Sequence, residues 1–157
     1  MRYKPEITWH GAPIQGAALA IGIFDGVHMG HQEILKEAMT SGLPVVALTF
    51  DPHPTSVFAP TKVPTRLLTL HNRIHQLAMH GATTTAIIKF TEEFSQLTPE
   101  EFISEVLIPT FDPQLVVVGE NFTFGSKAAG NVDYLKKHAQ FMVKGTPLLH
   151  HGNATVS

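Results

Sequence analysis

His28 and His31 stand three residues apart in a glycine-punctuated stretch, GIFDGVHMGH at 22–31, and no other stretch of the chain carries a stronger chemical signal. Gly22, Gly26 and Gly30 permit close backbone approach and positive φ. A helix opening behind them would present free N–H groups and its positive dipole end to an anion. The stretch therefore reads as a phosphate cradle. If the helix begins near His28, both imidazoles fall on one side of its first turn and add two donors aimed at that anion. Neither GxxxxGK[ST] nor GxGxxG occurs, which weakens P-loop and dinucleotide readings. Two histidines at i, i+3 also suit zinc, but such a site needs a third and usually a fourth ligand. His53 is the available candidate, yet it lies between Pro52 and Pro54 in a different loop with no acidic partner specified. Glu92, Glu93, Glu100 and Glu101 invite a two-carboxylate mechanism. Capping and solvation explain them better, because Glu100 and Glu101 fall in a first helical turn, where negative charge stabilises.

Positioning such a cradle requires a strand before it and a helix after it, and the chain supplies that alternation repeatedly. Apolar runs at 18–24, 45–50, 85–90 and 115–118 read as parallel strands covered on both faces. The spacing predicts helices over 30–40, over 69–81 with Thr69 as N-cap, and from Thr98 onward. In the last, Pro99 takes the first helical position, Glu101 completes a capping box, and Pro109 is expected to stop the helix. A further helix is expected over 131–140, a fifth strand over 141–143, and an edge strand over 7–9. This is the βαβ pattern of an α/β fold, an open, doubly wound parallel sheet in a single domain over 1–157. Ligands in such sheets bind beyond the carboxyl ends of the strands, so the segments to examine are 25–30, 51–65, 91–97 and 119–130. The second of these holds four prolines and is long enough to imply a functional loop.

Composition narrows the partners. Eleven Lys plus Arg against thirteen Asp plus Glu give a net charge of −2 and a pI near 6.5, so no basic field exists to hold nucleic acid. The absence of cysteine excludes disulfides, thiolate zinc sites and a thiolate nucleophile, and fits a cytoplasmic location. No apolar run approaches the length of a membrane span, and no apolar segment follows Arg2 and Lys4 as a signal peptide requires. Ten histidines are an unusual number, read individually as surface imidazoles as readily as functional groups.

The ordered set GxFDGVHxGH, FDPHP (50–54), RLLTL (66–70), FTEEFSQLTPEEF (90–102) and VVGENFTFG (117–125) resembles the adenylyltransferase domain of the bacterial bifunctional riboflavin kinase/FAD synthetase family. HxGH alone marks a whole nucleotidyltransferase superfamily; the set in this order is far more specific. The resemblance implies transfer of AMP from ATP to the phosphate of FMN, with release of pyrophosphate, formation of FAD and Mg2+ as the accompanying ion. The attacking oxygen is already ionised, so the barrier is one of in-line placement and charge neutralisation. His28 and His31 would donate to ATP phosphates, with Gly22, Gly30 and the backbone of Phe24, Asp25 and Gly26 completing the cradle. Asp25 is alternatively a helix cap. By the same resemblance Asn121 helps to position phosphate and magnesium, and His53, with Phe50, Pro52 and Pro54, contacts the FMN phosphate region. Arg66 is a phosphate partner or a solvated surface group, and Phe124 a flavin-facing or a packing ring.

Two departures from the family pattern stand out. The family continues into a Ser-Ser-Thr-x-x-Arg segment and then a riboflavin kinase domain, whereas this sequence ends at Thr155, Val156, Ser157. The expectation is an adenylyltransferase domain truncated before that segment, without the kinase domain. Where many relatives carry arginine after the FTFG motif, this chain has Lys127, a point charge rather than a bidentate fork. A different HxGH nucleotidyltransferase and a non-catalytic nucleotide- or flavin-binding module are the alternatives that assays must separate.

Overall fold

The structure, a computed structural model, describes residues 4–24, 29–52, 69–147, 149–151 and 154–156. Six strands form one sheet: β1 (Ile7–His10), β2 (Ala18–Ile21), β3 (Val45–Asp51), β4 (Thr84–Lys89), β5 (Leu115–Gly119) and, named here for its place in the chain, β8 (Met142–Thr146). Their spatial order is β1-β4-β3-β2-β5-β8, all parallel except β1, which runs antiparallel along β4. The short strands β6 (Thr123–Phe124) and β7 (Gly130–Asn131) pair as a hairpin, as do β9 (Leu149–His151) and β10 (Ala154–Val156). The helices are α1 (Met29–Met39), α2 (Leu70–Met79), α3 (Glu92–Ser95), α4 (Pro99–Glu101) and α5 (Val132–His138). Among the described residues no helix is long and apolar enough to cross a membrane.

Period-two alternation along each central strand divides the core between two faces. Ala18, Ala20, Val45, Ala47, Leu115 and Val117 face α1 and α2, which bury Ile34, Leu35, Ala38 and Leu77 against them. Leu19, Ile21, Val46, Leu48, Val116 and Val118 face the other way, toward α5 and the helix that continues α4. Alanines on the first face leave room for α1 to lie close on the sheet. The sheet is therefore doubly wound, and the connections reverse direction between β2 and β5.

Several boundaries differ from expectation: the fifth strand, expected over 141–143, runs over Met142–Thr146, and two further differences bear on the site and the core. The strand predicted over 18–24 ends at Ile21, after which the Gly22 N–H donates to the Leu48 carbonyl at 3.1 Å. Phe24 takes the left-handed region (φ 56°) and turns the chain away from the sheet. Pro109 does not stop the helix begun at Thr98; a π-helical run over Phe102–Phe111 carries the chain past it. Wider winding moves aside the carbonyl that a proline ring would strike in an α-helix, and the missing N–H forfeits one hydrogen bond. The Asp112 N–H then closes the turn on the carbonyls of both Leu107 and Ile108 at 3.1 Å. Continuing buries Phe111, whose ring lies 5.4 Å from that of Trp9. Burying a phenylalanine contributes about 1.5–3 kcal/mol against about 0.5–1.5 kcal/mol for the lost bond, so burial wins.

The helix starts agree with the sequence. Thr69 Oγ1 accepts from the Asn72 N–H, Asn131 Oδ1 from the Tyr134 N–H, and Thr98 forms the full capping box with Glu101. Helix α3 was not anticipated. Thr91 caps it, and Glu92 and Glu93 occupy its first turn, in keeping with capping rather than acid–base use.

Candidate active site at the carboxyl edge of the sheet

In an open α/β sheet the ligand crevice lies where the connections reverse, here beyond the carboxyl ends of β2 and β5. The β2 side is built by Gly22, Ile23, Phe24 and the first turn of α1, which contains Gly30 and His31. Gly22 does not supply the positive φ expected of it; that conformation falls on Phe24. A Cβ on Gly22 would come within 3.1 Å of the Phe24 ring, so the glycine makes room for an aromatic side chain. Gly30 is helical rather than left-handed. Phe24, expected to contribute only backbone, is wholly buried, and the His31 ring meets it edge-on with centroids 5.1 Å apart. His31 is thus more enclosed than a loop imidazole, at 7 % exposure. Its orientation is fixed by packing, which suits a group that must hold a donor in one place. Asp25, Gly26 and His28 lie outside the described residues.

On the β5 side, Asn121 follows the strand in a turn closed by Phe122 N–H to Gly119 O at 2.9 Å. A Cβ on Gly119 would sit 3.2 Å from Asn121 Oδ1 and 3.8 Å from the Ile34 side chain on α1. The asparagine amide therefore lies over the end of β5, on the side where α1 packs. The structure brings Asn121 and the opening of α1 to the same edge of the sheet. Among the described residues no three His, Cys, Asp or Glu side chains converge to hold a metal.

Beside this crevice opens a cavity of about 700 Å3, within the range of small-molecule sites. Ile23 and Phe50, at the ends of β2 and β3, form part of its wall. Phe90, Phe94, Phe102, Phe122 and Phe124 form much of the rest. The rings support one another: Phe90 and Phe94 at 5.5 Å, Phe102 and Phe124 at 5.4 Å, and Phe122 stacked on Phe124 at 5.6 Å. Glu92, Gln96, Ser126 and Lys127 add polar groups to this largely apolar lining. Of the residues expected to hold a flavin, Phe50 and Phe124 both line this cavity. Pro52 follows Phe50 two residues on in the chain, whereas His53, Pro54 and Arg66 lie outside the described residues. The sequence reading missed Phe90, Phe94 and Phe102 as site residues.

It also missed Arg73. This α2 side chain is 1 % exposed and reaches the ends of two strands. Its Nη1 donates to the Ile23 carbonyl at 3.3 Å, to Thr49 Oγ1 at 3.1 Å and to the Phe50 carbonyl at 3.1 Å. Its Nη2 lies 3.6 Å from Asp51 Oδ1, and Thr49 Oγ1 itself donates to the Ile23 carbonyl at 2.6 Å. A signal was present in the sequence: Arg73 is three residues after Leu70 and four before Leu77, which puts a charge on the apolar face of the helix.

Comparison with known proteins finds relatives over most of the chain. The bifunctional riboflavin kinase/FMN adenylyltransferase of Escherichia coli K12 is 33% identical over 153 residues, covering 93% of this chain and 49% of the relative. The protein of the same name from Bacillus subtilis 168 is 36% identical over 121 residues, covering 74% and 38%. The chain thus spans half or less of the length of these curated relatives. A crystal structure described as a macrolide-efflux protein from Streptococcus pneumoniae superposes with a TM-score of 0.81 at 25% identity, covering 94% of this chain and 50% of that one. The family model for FAD synthetase matches residues 12–157, and the chain belongs to that family of nucleotidyltransferases.

Proposed function

We propose that this chain transfers the adenylyl group of ATP to the phosphate of FMN, forming FAD and releasing pyrophosphate. The observation that carries the reading is the phenylalanine-lined cavity of about 700 Å3 at the carboxyl edge of the sheet, next to the opening of α1. A flat tricyclic ring fits such a lining, and a phosphate at its mouth would face the nucleotide. An ionised oxygen of FMN attacks the α-phosphorus of ATP, and the bond from that phosphorus to the bridging oxygen breaks in line. The electron pair leaves with pyrophosphate, and no strong general base is needed. His31, His28 and the α1 amino end would bear on the triphosphate with Gly22, Phe24, Asp25, Gly26 and Gly30, while Asn121 orients phosphate. Phe50, Pro52, His53, Pro54, Arg66 and Phe124 would hold FMN. Mg2+ would accompany the triphosphate, held mainly by its phosphate oxygens and water. FMN would be supplied by riboflavin phosphorylation, the second activity in the relatives' names.

The test is incubation of the protein with ATP, Mg2+ and FMN, followed by separation of flavins and measurement of pyrophosphate. FAD and pyrophosphate in equal amounts are expected. ATP and FMN binding in calorimetry without either product would instead identify a non-catalytic module. Pyrophosphate release only with a different phosphate acceptor would identify another nucleotidyltransferase.

A further inference from the structure

We propose that Arg73 is a positioning residue that locks the ends of β2 and β3 together, so that its removal weakens nucleotide and flavin binding at once; this rests on the site reading above. A guanidinium buried to 1 % exposure is costly, and exchanging a buried ion pair as a whole for apolar side chains is often neutral or stabilising, whereas removing one partner alone is destabilising. Stability is therefore a poor reason for an arginine on the apolar face of α2. Its contacts supply a better one. The residue pairing of β2 with β3 ends at Ile21 and Leu48, two residues short of Ile23 and Phe50. Beyond that point a single nitrogen, Arg73 Nη1, holds both the Ile23 and the Phe50 carbonyls, with Thr49 Oγ1 bonded between them.

These two residues sit at a junction. Ile23 precedes Phe24, against which His31 packs, and Phe50 precedes Asp51, whose carboxylate faces Arg73 Nη2. Both Ile23 and Phe50 also line the aromatic cavity. One cation thus fixes the backbone under the nucleotide end and under the flavin end. The reaction demands in-line placement of two substrates, so a shift of either strand end relative to the other misaligns them.

Three variants test this: Arg73→Met keeps the stem and removes the donors, Arg73→Lys keeps the charge, and Thr49→Val keeps the shape. ATP and FMN dissociation constants are measured well below each melting point, together with ligand-free amide hydrogen exchange over residues 20–24 and 48–51. Arg73→Met should weaken both ligands by at least about tenfold and raise exchange in both segments, with Arg73→Lys recovering most of both losses. Thr49→Val should weaken both by about threefold, and it carries the comparison if Arg73→Met does not fold. A purely structural arginine would lower the melting point and leave the folded protein's affinities alone. Affinities within about twofold of the native protein, loss for one ligand only, or no recovery with lysine would overturn the proposal. Native protein that binds neither ligand would sink the site reading instead. The exchange measurement still decides the lock in that case: a rise in both segments upholds it and no rise removes it.

Discussion

His31 shows how one side chain can serve two demands. Its ring is packed edge-on against Phe24, so the imidazole is held by the core while remaining in the first turn of α1. A hydrogen bond to a charged group contributes about 1.5–3 kcal/mol, so His31→Ala should weaken ATP binding by roughly ten- to a hundredfold in calorimetry. Circular dichroism should report an unchanged fold, and unaltered ATP affinity would remove the assigned role. The place of His31 in the first turn of a helix was legible because glycine spacing and the following helix are local facts. The burial of Phe24 was not, because Gly22 has two uses, approach to a ligand and space for a ring, and sequence alone does not choose between them. Arg73 was equally hidden, since a helix face shows that a charge is inside but not which strand ends it meets.

At the scale of elements, what could be read depended on how far apart the deciding residues were. The start at Thr98 is settled within four residues: Thr98 Oγ1 accepts from the Glu101 N–H at 3.1 Å, and Glu101 Oε1 accepts from the Thr98 N–H at 2.9 Å. Thr98→Ala should cost about 1 kcal/mol, lowering the melting temperature by about 2–4 °C in a thermal scan. No change would mean that the box is redundant with the packing of Phe102 behind it. The end of the same helix was misjudged because Pro109 is a local signal, whereas the burial of Phe111 against Trp9 is a distant one. The cavity illustrates the same limit. Phe50 and Phe124 were expected to hold a flavin by resemblance, but Phe90, Phe94 and Phe102 come from separate segments, and each reads as ordinary core until the strand order brings them together.

The whole molecule depends on the inequality of its two sheet faces. Ala18 and Ala20 are fully buried under α1, and small side chains there set how near the helix can approach. Ala20→Leu should cost about 1–3 kcal/mol through overpacking, displace α1, and weaken ATP binding more than FMN binding. Equal losses for the two ligands would contradict the placement of the nucleotide beside that helix. The alternation of strands and helices, and hence the doubly wound class, was evident from the apolar runs. The strand order, with its reversal between β2 and β5, was not read from the sequence, because the handedness of crossovers does not alone fix which strands become neighbours. One further property comes from the lone indole of the chain, Trp9, which is half-buried on β1 against the far end of the wide helix. Its ultraviolet emission senses only the surroundings of that border strand, so a denaturation midpoint that it shares with circular dichroism would mean that this border and the opposite one, where Met142 begins β8, come apart together.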